Sequence, residues 1–155
     1  MKTFKSFFAF FLVSILVLSV NSCKKENSEE LGSFQGVLEK DVQVFKDLIN
    51  AQGEGVQIVD FRSADDFAAG HIPGAINIPA TYQNTQSNNS FFCEEILRLL
   101  DKTKPVFLYG KKTDISLGKI VAGRVSKIGF EHARTCFFEG GFEAWKAAFP
   151  DEVER

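Results

Sequence analysis

From residue 34 onward, short apolar runs rich in Val, Ile and Phe alternate with stretches whose apolar residues recur at helical spacing. That alternation predicts βαβ units wound around a mainly parallel sheet. Five strands are expected: Phe34 to Leu38 at an edge, Val56 to Phe61, Ala75 to Ile78, Pro105 to Tyr109, and Ala133 to Phe138. The run Val106-Phe107-Leu108-Tyr109 is apolar on both faces, as a central parallel strand requires.

Between the strands, Asp41 can cap a helix that places Val42, Phe45, Leu48 and Ile49 on one face and stops at Gly53. Ser63 and Asp66 form a capping-box pattern before Phe67, with Gly70 just past the last turn. Ser90 is expected to open a helix carrying Phe92, Ile96, Leu99 and Leu100. Asp114 is expected to open another, carrying Leu117, Val121, Val125 and Ile128 before Gly129. A last short helix follows Gly140-Gly141, and its Phe142, Trp145 and Phe149 make a core stripe. The polar segment Thr81 to Asn89 reads as a surface loop.

The first 22 residues follow another pattern. Lys2 and Lys5 precede an apolar run from Phe7 to Leu18, broken only at Ser14. This is the layout of an export signal, since an apolar region of about 14 residues in all falls short of the roughly 20 apolar residues that span a bilayer. Val20-Asn21-Ser22-Cys23 resembles a bacterial lipobox, with Asn21 its least typical member. The resemblance implies diacylglycerol on Cys23, loss of the preceding peptide and acylation of the new amino terminus, with palmitate-type chains as the membrane anchor. An ordinary signal peptide with an incidental cysteine is the other reading. Residues 23–33 then form a flexible tether, because Lys24 to Glu30 is polar and charged. The folded domain is expected over residues 34–155, in a protein of the cell envelope.

Charged residues make up 25% of the chain and the net charge is −2, which lacks the basic footprint of a nucleic-acid binder. Export permits disulfides, and Cys93 and Cys136 are the two cysteines left for one bridge, though no framework spacing supports it. No cofactor or metal is expected. His71 stands without a cysteine or second histidine nearby, and reads as a structural brace rather than a ligand.

Three patterns occur in order: Val59-Asp60-Phe61-Arg62 with Asp66-Phe67; Gly70-His71-Ile72-Pro73-Gly74-Ala75-Ile76-Asn77-Ile78-Pro79; and Glu139-Gly140-Gly141-Phe142-Glu143-Ala144-Trp145. Together they resemble the rhodanese homology domain over about residues 34 to 149. The resemblance implies a three-layer α/β sandwich with a five-stranded, mainly parallel sheet flanked by helices. It also implies sulfurtransferase chemistry, in which a sulfane sulfur passes from thiosulfate to cyanide or a thiol through a cysteine persulfide.

In that family the cysteine follows the central strand, where backbone N–H groups and a helix N-terminus lower its pKa. Here Tyr109 leads into Gly110, which has no side chain to carry sulfur. The following Lys111-Lys112-Thr113-Asp114 lacks the usual Gly-and-Arg loop pattern, and the segment from Gly110 to Gly129 is slightly longer than in single-domain relatives. Cys93 and Cys136 fall in a helix and a strand, so both read as small buried apolar residues, with an enzyme using either as the alternative. Gly110, Lys111, Lys112, Thr113 and Asp114 remain as a candidate anion or ligand loop; the plainer reading is two solvated lysines. Asp60 and Arg62 end a strand where ligands gather in α/β folds, yet Arg62 is also placed to pair with Asp65 or Asp66 and pin the next turn. The expectation is thus a rhodanese-like lipoprotein lacking the family's nucleophile, binding a small anion or a protein partner at the envelope. A purely structural envelope adaptor is the further alternative.

Overall fold

The computed structural model describes residues 37–130 and 135–155. The signal peptide, Cys23, the tether, the first residues of the expected first strand and the first of the expected last strand lie outside them. The chain forms β1 (Val37–Glu39), α1 (Val42–Gln52), β2 (Gln57–Asp60), α2 (Ala64–Ala68), β3 (Ala75–Asn77), α3 (Phe91–Leu99) and β4 (Val106–Tyr109). A 3-10 turn (Lys112–Asp114), α4 (Ile115–Val125), a wide turn (Ser126–Phe130), β5 (Thr135–Phe138) and α5 (Gly141–Ala148) complete it.

The five strands are ordered β1-β5-β4-β2-β3 and every pairing is parallel. Side chains alternate across the sheet, so the three central strands β2, β4 and β5 each feed two cores. Val59, Phe61, Val106, Leu108 and Phe137 pack with Phe92, Cys93 and Ile96 of α3 and Leu117, Val121 and Val125 of α4. On the other face, Ile58, Phe107, Tyr109, Cys136 and Phe138 meet Phe45, Leu48 and Ile49 of α1 and Phe142 and Trp145 of α5. This is the expected three-layer α/β architecture.

The helix starts show how far local chemistry acts. The Asp41 carboxylate accepts from the Gln43 and Val44 amides at 2.8 and 3.0 Å, and Gly53 ends α1. Ser63 Oγ accepts from the Asp66 amide at 3.2 Å and donates to the Asp66 carboxylate at 2.6 Å. Ser90 and Asp114 stand at the starts of α3 and α4 as expected, and two other expectations, the place of Leu99 and the reach of α4 to Ile128, need correction. Ser90 precedes α3 without a side-chain cap bond, and Leu99 is 43% exposed, because α3 ends there and the chain swings into an extended Leu100 that takes the core position. Asp114 makes no capping bond either, since the chain enters α4 through the 3-10 turn. Finally, α4 stops at Val125, and Ile128 lies in the wide turn that ends in Gly129 at φ +107°.

The Thr81–Asn89 loop is largely exposed, as expected, with Thr85 buried. Arg124 of α4 ties it down by donating to the carbonyls of Thr85 and Gln86, at 2.9 and 2.5 Å, and to Asn88 Oδ1 at 3.0 Å. At the opposite end of the chain, Glu154 exchanges backbone hydrogen bonds with His71 and accepts from the Gly74 amide at 3.0 Å. The His71 ring stacks on Phe67 at 3.7 Å and its Nδ1 donates to the Phe67 carbonyl at 3.0 Å, so it braces the turn.

Candidate functional site

The carboxyl ends of β2, β4 and β5 converge on the loop that follows Tyr109. Gly110 holds the first position there, where a Cβ would lie 2.2 Å from Cε2 and 2.4 Å from Cζ of Phe61. A real side chain tolerates no contact that short, so the Phe61 ring already occupies the space a residue at Gly110 would use. The pairing register explains the encounter. Asp60 lies beside Tyr109 across β2 and β4, and the Phe61 amide continues the ladder to the Tyr109 carbonyl at 3.0 Å. The next two residues on these strands are Phe61 and Gly110, one large and one absent. Phe61 is 2% exposed and rests near Phe137, with ring centroids 6.0 Å apart.

The rest of the loop is held by groups of the protein itself. The Gly110 carbonyl accepts from the Phe142 amide at 2.9 Å, and the Lys112 amide donates to the Glu143 carboxylate at 2.9 Å. Gly141, at φ +66°, lets this approach happen: a Cβ on it would sit 2.4 Å from the Lys112 nitrogen. Lys111 pairs with Asp66 at 2.9 Å. The Asp66 carboxyl is held below its ordinary range by its bond from Ser63 and then by Lys111, and Lys111 is raised in turn by Asp66. Lys111 is thus paired, though its side chain stays 41% exposed, and one loop amide already has a carboxylate as its anion. Thr113 and Asp114 are exposed or half-exposed, with Thr113 Oγ1 3.5 Å from the Asp114 carboxylate.

Asp60 and Arg62 are both buried beneath this loop, at 0% and 7% exposure. Arg62 Nε lies 3.0 Å from each Asp60 oxygen, and a terminal guanidinium nitrogen donates to Asp60 Oδ2 at 2.5 Å and to the Gly70 carbonyl at 2.7 Å. The expected partners Asp65 and Asp66 are thus replaced by Asp60. In extended backbone, residues two apart share a side, whereas Asp65 and Asp66 ride away on α2. The guanidinium also lies 4.0 Å from the Phe142 ring centroid. Asn77 staples the turn by donating to the carbonyls of Asp60 and Arg62, both at 3.0 Å. The Tyr109 hydroxyl accepts from the Ile72 amide at 3.0 Å; burial, with the charge of Asp60, pushes its pKa far above the ordinary value.

Phe61, Asn77 and Glu143 are the residues that the sequence reading did not single out for this site. Cys93 and Cys136 are elsewhere. Both are free and fully buried, in cores on opposite sides of the sheet, so the bridge the composition allowed is not formed. Burial, with the charge of Glu39, pushes the Cys136 thiol up to about 12. At pH 8 its thiolate is then about one part in ten thousand. Native protein treated with iodoacetamide at that pH should show no adduct on either described cysteine by mass spectrometry, while urea-unfolded protein labels at both. Rapid native labelling would contradict the buried setting.

A family profile described as a Rhodanese-like domain matches residues 41–148. The thiosulfate sulfurtransferase GlpE of Pseudomonas putida is 32% identical over 102 residues, covering 64% of this chain and 78% of that protein. GlpE of Pseudomonas savastanoi pv. phaseolicola is 29% identical over 101 residues, covering 64% and 81%. Among solved structures, a protein from Bacillus halodurans superposes with a TM-score of 0.55 at 26% identity, covering 81% of this chain and 80% of the other. The rhodanese-like domain of a protein from Anabaena sp. superposes at 0.54 with 23% identity, covering 71% and 74%, which speaks for the fold. With the parallel sheet, the Asp60–Arg62 turn and the Gly70–Pro79 segment in place, the chain belongs to the rhodanese-like domain family.

Proposed function

We propose that this protein is a rhodanese-like domain without sulfurtransferase activity, secured to the bacterial cell envelope by a lipid on Cys23, whose β4–α4 loop serves binding. The observation that carries the reading is the pair Gly110 and Phe61: no thiol follows the central strand, and an aromatic ring fills the place of one. Persulfide chemistry needs an accessible thiolate, and both described cysteines are buried.

Two occupants of the loop were open from the sequence, a small anion and a protein partner. The partner is favoured here, because Glu143 and Asp66 already meet the Lys112 amide and the Lys111 ammonium. An anion must displace its own kind to bind there. The protein should accordingly transfer no sulfur from thiosulfate to cyanide above background, and its melting temperature should not change with thiosulfate, sulfite or phosphate. Turnover together with a persulfide trapped on Cys136 or Cys93 would install the enzyme reading instead; clear stabilisation by one anion would restore the anion cradle. The lipid is checked separately: acyl labelling in cells should vanish in Cys23→Ala.

A further inference from the structure

The outward face of α4 carries a feature that the loop does not explain. Lys119, Ile120, Gly123, Arg124 and Lys127 line a shallow hollow of about 220 Å³. Three of the five are cations and none is a carboxylate. Gly123 sits within the helix, where glycine costs about 1 kcal/mol relative to alanine. Packing gives no reason for it, since a Cβ there would meet nothing within 4 Å. Its effect is to leave the floor of the hollow open beside Ile120, which is 39% exposed.

The charges are also held ready. Arg124 is fixed by two backbone carbonyls and an Asn88 side-chain oxygen, all neutral, so its positive charge is positioned without being cancelled. Among the described residues no carboxylate pairs with Arg124 or Lys127, and Lys119 reaches only Glu139, at 3.3 Å, while remaining 52% exposed. A basic hollow with an exposed aliphatic residue on a chain of net negative charge suits an anionic interface that also accepts an apolar contact.

Topology narrows the choice of interface. Every strand pairing is parallel, and α4 returns from the end of β4 to the start of β5, so Lys127 lies toward the end of the sheet at which β1 begins, while Lys119, paired with Glu139, lies toward the other. The chain from Cys23 joins the amino end of β1 and, fully extended, reaches at most about 50 Å. We propose that the α4 face, through Lys119, Ile120, Gly123, Arg124 and Lys127, rests on the anionic headgroups of the membrane that anchors the protein. This rests on the lipid tether proposed above. Docking sets the domain's orientation: the α4 layer lies on the bilayer, and α5, across the sheet, faces away from it.

The test uses the lipidated full-length protein in vesicles of phosphatidylcholine, alone or with about one third phosphatidylglycerol. Lysine acetylation is followed by mass spectrometry. Lys119 and Lys127 should react several-fold more slowly in the anionic vesicles, while Lys146, on α5 across the sheet, reacts equally in both. High salt and Ile120→Glu should each reduce the protection. A protein that floats with its lipid yet labels equally in both vesicles overturns the docking and leaves the tether standing. A protein that carries no lipid and floats with neither overturns both. Protection by added polyglutamate but not by phosphatidylglycerol also overturns the proposal, assigning the face to an acidic protein.

Discussion

Replacing Gly110 with cysteine alone is expected to destabilise the domain by about 1–3 kcal/mol, the usual cost of overpacking, and to leave thiosulfate transfer at background. The new Cβ would start 2.2 Å from the Phe61 ring, which is itself enclosed by core neighbours. Pairing the change with Phe61→Val makes room where the side chain must go. The double variant should then be more stable than the two single costs added together, with a coupling of about 0.5–3 kcal/mol by urea denaturation. It should also form a persulfide with thiosulfate that the single Gly110→Cys variant does not. Adding Glu143→Gln should raise that reaction further, since it removes a carboxylate from the amide that an incoming anion would use. Additive stabilities, or full transfer in the single variant, would mean that Phe61 is no obstacle and the site lost its cysteine for another reason.

The Phe61–Gly110 exchange marks where sequence reading stops. Gly110 could be recognised from the residues because a strand, a missing cysteine and a following helix are adjacent in the chain. Its partner could not, since the encounter depends on β2 lying beside β4 in one register, which neither strand's pattern encodes. Glu143 is of the same kind: its carboxylate reaches the Lys112 amide only because α5 is seated against the loop by a glycine without a Cβ. The start of α1 was legible because its cap lies within three residues of the amides it satisfies. The end of α3 was not, since one turn decides whether Leu99 or Leu100 enters the core, and both fit an apolar stripe.

Arg62 is the instructive error, because the signal for its true partner was present. Charges three and four residues ahead suggested a helix-start pair, but a residue leaving a strand shares its side with the residue two before it. Asp60 is that residue. The same geometry makes Arg62 part of the scaffold beneath the loop, together with Asn77, Tyr109 and the Gly70 carbonyl.

Asp60→Ala should therefore be among the most damaging single changes outside the apolar core, costing about 3–5 kcal/mol, because it leaves a buried guanidinium without its carboxylate. Arg62 is raised above its ordinary pKa: burial opposes the charge, but the hydrogen bond and charge of Asp60 outweigh it. It cannot escape the loss by giving up its proton. Its remaining contacts, the Gly70 carbonyl and the Phe142 and Tyr109 rings, do not balance a full charge. Replacing both members, as in Asp60→Ala with Arg62→Met, removes the charge along with its partner and should recover most of the loss. Urea midpoints at constant m-value give the comparison. If Asp60→Ala costs less than about 1 kcal/mol, Arg62 has swung out to water and the turn is looser than its hydrogen bonds imply. If the double variant is as unstable as the single, the cost lies instead in the carboxylate's bond to the Arg62 amide, at 2.9 Å, which both variants lack.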